Sequence, residues 1–189
     1  MRIALDIDST LHPYWTGFAE AARRRFGVDL PYQDQVTWEI DRLRPEQVRA
    51  LVEETHRAHN ILAADPYPGA VEVVSGWHAE GHEIHVMSHR DAACHGPTEQ
   101  WLRRIGLPFH SLDCSWDKVA GASARGIELL VDDSPLNLQR ALDEGMAVAT
   151  LAHPWNRELC DLEGIVCAPD WPALGRRLAP LLSGQRTPG

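Results

Sequence analysis

The chain has 189 residues, of which 44% are hydrophobic and 24% charged, a composition typical of a globular protein with one good core. Its net charge of -9 argues against a nucleic-acid backbone as the main partner, because that affinity depends on Lys and Arg neutralising phosphates. Asp6 and Asp8 interrupt any signal-peptide core, and no apolar run reaches the ~18 residues of a membrane helix, so we expect a cytoplasmic protein without a membrane partner.

The first predicted element is a strand, RIALDID, which ends in two aspartates. Because side chains alternate faces along a strand, Asp6 and Asp8 are predicted to project from one side, roughly 7 Å apart. Two carboxylates in a partly dry site need a cation between them, or one of them must be protonated. The segment taken alone also fits a solvated strand end, so the rest of the chain has to decide.

The stretch from residue 12 to 66 reads as helices without a strand. One predicted helix, YWTGFAEAARRRFG, ends at Gly27, and a second, PEQVRALVEETHRAHNILAA, begins at Pro45. An insertion of this kind directly after the first strand indicates a small helical cap. We therefore expect residues 12–66 to form the cap, and residues 1–11 and 67–189 to form the catalytic core.

From residue 67 onward, helices alternate with short apolar segments such as EIHVM, IELLV and AVATL. Repeated units of this length predict an α/β fold, with a Rossmann-like parallel sheet of about five strands and helices on both faces. Ligands of such sheets bind beyond the carboxyl ends of the strands. Asp6 and Asp8 are predicted to lie at such an end.

Further polar residues follow the later strands. EIHVM is followed by Ser88, IELLV by Asp132 and Asp133, and Lys118 lies after FHSLDCSW. Lys118 is the only lysine among 18 basic residues, and it begins a predicted helix, where the macrodipole disfavours a cation. A compact ammonium that can contact a phosphate oxygen and a carboxylate together accounts for this placement.

In this order, the segments DIDST, HVMS, DK and LLVDDS resemble the motifs of the haloacid dehalogenase superfamily, whose members are mostly phosphatases. The helical insertion and the late HPWN segment resemble the cytosolic 5'(3')-deoxyribonucleotidase branch in particular. The resemblance covers nearly the whole chain. It implies a phosphomonoester hydrolase that acts through an aspartyl-phosphate on a small-molecule substrate, most specifically a nucleoside monophosphate.

The resemblance also implies the role of each polar residue. Asp6 is the implied nucleophile and Asp8 the general acid and base, while Ser88 and Lys118 hold the phosphate. Mg²⁺ is the implied cofactor, bound by the Asp6 carboxylate, the Asp8 carbonyl and the acids of the DD pair. Adjacent strand residues face opposite ways, so periodicity leaves open which acid is the direct ligand, whereas the resemblance favours Asp133, with Asp132 acting through water.

Substrate-binding candidates come from the first loop, the cap and the loop after Ser88: Thr10, Trp15, Trp38, His89 and Arg90. Arg90 has the fork geometry to hold a phosphate through two hydrogen bonds. In the cap, the aromatic residues and His56 or His59 are the nearest groups that could select the ester, although aromatic residues there also suit a small helical core. Where this chain has Ser9, relatives carry glycine, which draws attention to the turn after Asp8.

Three other functions use similar residues: a phosphatase of another small phosphorylated metabolite, a phospho-acceptor module without turnover, and a dehalogenase in which Asp6 attacks carbon. A receiver module has a different motif order, and dehalogenation leaves Asp8 without a task. The four cysteines show no C-x-x-C pairing, which predicts reduced thiols rather than a disulfide or a zinc site.

Overall fold

A computed structural model describes residues 1–115 and 118–184. The strands are β1 (Arg2–Leu5), β2 (Glu83–Ser88), β3 (Ser111–Cys114), β4 (Leu129–Val131), β5 (Ala147–Leu151) and β6 (Ile165–Ala168). The α-helices are α1 (Tyr14–Phe26), α2 (Pro45–Thr55), α3 (Ala58–Ala63), α4 (Ala70–Ala79), α5 (His95–Arg104), α6 (Lys118–Ala124), α7 (Pro135–Asp143) and α8 (Trp171–Leu182). Short 3-10 helices lie at Tyr32–Asp34, Ala92–Cys94 and Pro154–Asp161.

The strands form one parallel sheet in the order β3-β2-β1-β4-β5-β6. This confirms the predicted α/β sheet with helices on both faces, although it has six strands rather than about five. Side chains of β1 alternate between two cores, with Ile3 and Leu5 in one and Ala4 in the other. Since β1 lies between β2 and β4, its carboxyl end is central and meets the loops that follow both neighbours.

Residues between β1 and α4 are helical, and their apolar side chains form a separate hydrophobic cluster. Helix α1 ends as predicted, since Gly27 is left-handed at a φ of 68° and its amide bonds to the Arg23 carbonyl. The second predicted helix is interrupted, because α2 ends at Thr55 and α3 begins at Ala58. At this break the Asn60 side chain donates to the Glu54 carbonyl at 2.7 Å.

Two sequence-based expectations are wrong. Strand β1 ends at Leu5, so Asp6 and Asp8 lie in the following turn and not on one strand face. Cys160 and Cys167 form a disulfide, because the 3-10 helix that contains Cys160 returns beside β6 and brings the two Cα atoms within 5.2 Å. Within residues 1–115 and 118–184, no helix is both long and apolar enough to span a membrane.

Candidate active site

The carboxyl ends of β1 and β4 bring three acids together. The Asp6 amide donates to the Val131 carbonyl at 2.9 Å, and the Asp132 amide donates to the Ala149 carbonyl at 3.1 Å, so the backbone pairing of the sheet extends one step past each strand. As a result, carboxylate oxygens of Asp6, Asp132 and Asp133 lie within 4.8 Å of one another, and all three residues are buried. Such a set of hard oxygen donors fits a divalent cation such as Mg²⁺.

Lys118 lies among these acids, at the start of α6. Its side chain is 2% exposed, and its ammonium donates to Asp6 and, at 2.8 Å, to Asp132. Asp117, the other half of the DK pair, lies outside the described residues. Three carboxylates facing one ammonium leave a surplus of two negative charges when all are ionised, which matches the charge of one divalent cation.

The pKa values follow from this crowding. Burial raises the pKa of Asp6 to about 7, because Asp132 and Asp8 add repulsion that Lys118 only partly offsets. Burial and the neighbouring Asp6 also raise the pKa of Asp133 well above its usual range. Burial would lower the pKa of Lys118, but Asp132 and Asp6 raise it instead, so the ammonium stays charged. A cation bound here would reverse the shifts of the acids.

Asp132 is the most constrained of the three acids. Besides Lys118, its carboxylate accepts from the Ser134 amide at 2.9 Å and from the Asn137 side chain at 3.2 and 3.3 Å. Asn137 is held there by α7, whose first turn is capped by the Ser134 hydroxyl. The relatives' acid at this position is thus replaced by an amide that supports Asp132.

Asp8 forms a second centre with its own cation. The Arg90 guanidinium donates to the Asp8 carboxylate at 2.7 and 3.0 Å, and His12 Nε2 lies 2.9 Å from the same carboxylate. Although burial would raise the pKa of Asp8, Arg90 together with His12 and His56 holds it well below its usual range. Asp6 and Asp8 therefore do not share one cation, because Lys118 neutralises the first and Arg90 the second.

Arg90 occupies a different position from the one expected of a phosphate ligand. Its Nε and Nη2 groups donate to Asp8, and Nη1 donates to Thr98 at 3.1 Å, so its fork already has protein partners. The same loop contains His89, which lines the cleft described below. His56 Nε2 lies 3.3 Å from the Asp8 carboxylate, is buried, and has no hydrogen-bond partner among the described residues.

An apolar cleft of about 340 Å³ lies above the two acidic centres. Its floor includes Asp6, Asp8, Lys118, Asp132 and Asp133, and its walls include Tyr14, Trp15, Phe18, Trp38, Ile40, Val48, Val52 and Trp155. Trp15 is partly fixed, because its ring packs on Phe18 and Trp155 and its Nε1 donates to the Leu30 carbonyl at 3.2 Å. Trp38 is 48% exposed.

Two of the predicted site residues do not line this cleft in the described part of the chain. Thr10 is buried, and its hydroxyl has no hydrogen-bond partner among the described residues. Ser88 is also buried, and its hydroxyl accepts from the Arg90 amide at 3.2 Å. His59, the alternative to His56 in the cap, is exposed and likewise absent from the lining.

The turn after Asp8 explains the serine where relatives have glycine. Ser9 is left-handed, with a φ of 62°, which is the conformation that glycine adopts without strain. Its amide donates to the His12 carbonyl at 3.0 Å and closes the turn. Serine thus occupies the same backbone geometry, and His12 follows at the position where its ring reaches Asp8.

Sequence reasoning missed four residues of the site. His12 and Thr98 support the Asp8 centre directly or through Arg90, whereas Asn156 and His153 brace the site from the HPWN segment. His12 could have been found, because it lies four residues after Asp8 and just after the acidic motif. Thr98 has no local signal, since its contact to Arg90 depends on how α5 packs against the sheet.

Comparison with solved structures identifies the architecture. A haloacid dehalogenase-like hydrolase from Streptococcus pneumoniae superposes with a TM-score of 0.65 at 12% identity, covering 97% of this chain and 98% of its own. A predicted phosphoglycolate phosphatase from Haemophilus somnus gives 0.62 at 16% identity, covering 98% and 97%. The chain has the fold of the haloacid dehalogenase-like hydrolases.

A third structure with this fold is a haloacid dehalogenase family hydrolase from Deinococcus radiodurans, crystallised with phosphate and sodium. It gives a TM-score of 0.64 at 17% identity and covers 100% of this chain and 98% of its own. No protein-family model and no curated protein matches the sequence. At these identities the likeness to haloacid dehalogenase-like hydrolases establishes the fold alone.

Proposed function

We propose that the protein is a Mg²⁺-dependent phosphomonoester hydrolase in which Asp6 is the nucleophile. The observation that carries this proposal is the buried Asp6, Lys118, Asp132 and Asp133 cluster at the floor of the cleft. A phosphate dianion can approach a carboxylate only where cations offset both charges, and Lys118 supplies one of them. The phosphate bound to the Deinococcus structure of the same fold supports the assignment.

The metal would be held by Asp6, Asp133 and the Asp8 carbonyl, with Asp132 acting through water. When bound, Mg²⁺ supplies the positive charge that offsets the phosphoryl oxygens and the surplus of carboxylates. Lys118 keeps the Asp6 oxygen oriented and neutralised. The fit rests on the three converging acids and on their excess of negative charge over one ammonium.

The proposed reaction has two displacement steps. An Asp6 oxygen attacks phosphorus, the ester P–O bond breaks, and the leaving oxygen takes a proton from Asp8. Asp8 then accepts a proton from the water that attacks the aspartyl-phosphate, which releases phosphate and restores Asp6. Because Arg90 holds Asp8 ionised in the free protein, the first step needs a proton that reaches Asp8 when the ester binds.

We further propose that residues 12–66 act as the cap and that the preferred esters are nucleoside monophosphates. The aromatic and aliphatic walls above the acids suit an uncharged ring system. Lys118 and Arg90 are the lysine and arginine side chains that line the cleft, and both already contact carboxylates. A second anionic group on the ester would therefore lack a ready cation.

A panel assay tests this function. Phosphate release is measured from nucleoside monophosphates, sugar phosphates, phosphoglycolate and nitrophenyl phosphate, with Mg²⁺ and with excess chelator. We expect turnover that requires Mg²⁺, is lost in Asp6→Asn and is retained in Asp65→Asn, an exposed acid that does not line the cleft. Full activity in chelator would overturn the metal assignment. Preference for a sugar phosphate would replace the nucleotide proposal, and phosphorylation without turnover would indicate an acceptor module.

A further inference from the structure

The HPWN segment after β5 joins three parts of the molecule. His153 Nε2 donates to the Ser9 carbonyl at 2.8 Å, in the turn that follows Asp8. The Asn156 side chain donates to the Asp133 carbonyl at 3.2 Å. The Tyr32 hydroxyl, in the helical insertion, donates to His153 Nδ1 at 2.6 Å. One imidazole thus connects the insertion directly to the loop that positions Asp8.

The direction of these bonds is fixed by chemistry. A backbone carbonyl only accepts, so the bond to Ser9 requires a proton on His153 Nε2. A neutral imidazole then has an acceptor at Nδ1, which is the atom that the Tyr32 hydroxyl meets. Burial lowers the pKa of His153 to about 4, which keeps the ring neutral at physiological pH.

Packing prevents the ring from changing this arrangement. His153 is 4% exposed and stacks on Trp155, with ring centroids 4.5 Å apart and an interplanar angle of 2°. Trp155 in turn contacts Tyr32 at 5.6 Å and Trp15 at 5.7 Å, both in the insertion. A rotation of the imidazole would lose the stack and both hydrogen bonds together.

The turn held by His153 is strained and close to the chemistry. Ser9 has a φ of 62°, which costs a non-glycine residue on the order of 1 kcal/mol and persists only where neighbours fix it. The His153 bond to the Ser9 carbonyl and the Ser9 amide bond to His12 are two such constraints. Any movement of Tyr32 is therefore transmitted, through one rigid ring, to the residue beside Asp8.

We propose that His153 is a positioning residue that couples the helical insertion to the turn carrying Asp8, through its hydrogen bonds to the Tyr32 hydroxyl and the Ser9 carbonyl. When the insertion packs against the HPWN segment, the turn is held for reaction, and when the Tyr32 bond is lost, the turn loosens. The kinetic consequences rest on the proposed hydrolase function, whereas the coupling itself does not.

The kinetic test separates the two ends of the link. Tyr32→Phe removes only the hydroxyl, and we expect KM to rise roughly 2- to 12-fold, the equivalent of one hydrogen bond, with little change in kcat. His153→Asn cannot reach Ser9, so we expect kcat to fall by a similar factor, whereas His153→Gln keeps a donor near Nε2 and should restore kcat but not KM. The control is Tyr67→Phe, since that ring also contacts His153 but its hydroxyl forms no hydrogen bond among the described residues.

A double variant and an activity-independent measurement complete the test. Tyr32→Phe combined with His153→Gln should show the KM of either single variant, because both remove the same bond. Amide hydrogen exchange in residues 9–12 should be faster in Tyr32→Phe than in Tyr67→Phe, even if no ester is hydrolysed. Additive KM effects, or equal exchange in the two tyrosine variants, would overturn the coupling. Absence of phosphatase activity with faster exchange would overturn the proposed function alone.

Discussion

Lys118→Met replaces the buried ammonium by an apolar side chain of similar length. It leaves Asp6, Asp132 and Asp133 within 4.8 Å of one another without the cation that now contacts two of them. Removing one partner of a buried ion pair costs about 3–5 kcal/mol, because the remaining charge stays uncompensated. We expect the free energy of unfolding without metal to fall by about this amount, and phosphate release to fall roughly 100- to 1000-fold, as for loss of one group that stabilises transition-state charge.

Urea denaturation without and with Mg²⁺, together with phosphate release, measures both effects. Arg125→Met is the matched control, since Arg125 pairs with Asp113 at 2.9 Å but is 42% exposed, where an ion pair is worth only about 0–1 kcal/mol. Mg²⁺ should stabilise the Lys118 variant more than wild type, because it compensates the same carboxylates. If Lys118→Met lost no more stability than Arg125→Met, the charge balance derived for the floor of the cleft would be wrong.

Three further predictions concern the acids, the cleft and His153. Asp6→Asn should prevent any covalent intermediate, whereas Asp8→Asn should slow nucleoside esters more than nitrophenyl phosphate in steady-state kinetics, and equal losses on both esters would exclude Asp8 as the acid. Trp38→Ala should raise KM for the preferred nucleotide roughly 5- to 150-fold without lowering Tm, because this half-exposed ring is free to stack on a base; the same change in KM for nitrophenyl phosphate would exclude stacking. Because folding lowers the pKa of His153 from 6.5 to about 4, the unfolded state binds more protons in that window, so stability present above pH 6.5 should be lost as pH falls, by up to about 3 kcal/mol. Urea denaturation at pH 7 and pH 4.5 should show a smaller loss for His153→Gln, and an equal loss would contradict the assignment.

Much of the fold could be predicted because its signals are local. Helix α1 has a C-terminal glycine at Gly27, and the apolar segments after residue 67 are each too short for anything but a buried strand. The end of β1 was harder to place, since the alternation of apolar and acidic residues continues through Asp8 although the strand ends at Leu5. The backbone leaves the sheet there because Ser9 adopts a left-handed turn, which no strand pattern indicates.

The partners of the acids could not be predicted, because they depend on distant segments. Arg90 is 82 residues from Asp8, and periodicity contains no information on whether its fork binds phosphate or a carboxylate. Lys118 was recognisable as unusual, but its contact with both Asp6 and Asp132 depends on how α6 approaches the sheet. The Cys160–Cys167 disulfide was missed for the same reason, since only the path of the 3-10 helix brings the two residues together.

The central claim is that Asp6 becomes phosphorylated during turnover, and trapping that intermediate tests it most directly. The protein is mixed with a radiolabelled phosphate monoester and Mg²⁺, quenched in acid within the first turnover, and digested so that the labelled peptide can be sequenced. We expect acid-stable label in the peptide that contains Asp6, more label in Asp8→Asn because the second step lacks its base, and none in Asp6→Asn. Phosphate release without label at Asp6, or label that persists in Asp6→Asn, would contradict the proposed reaction.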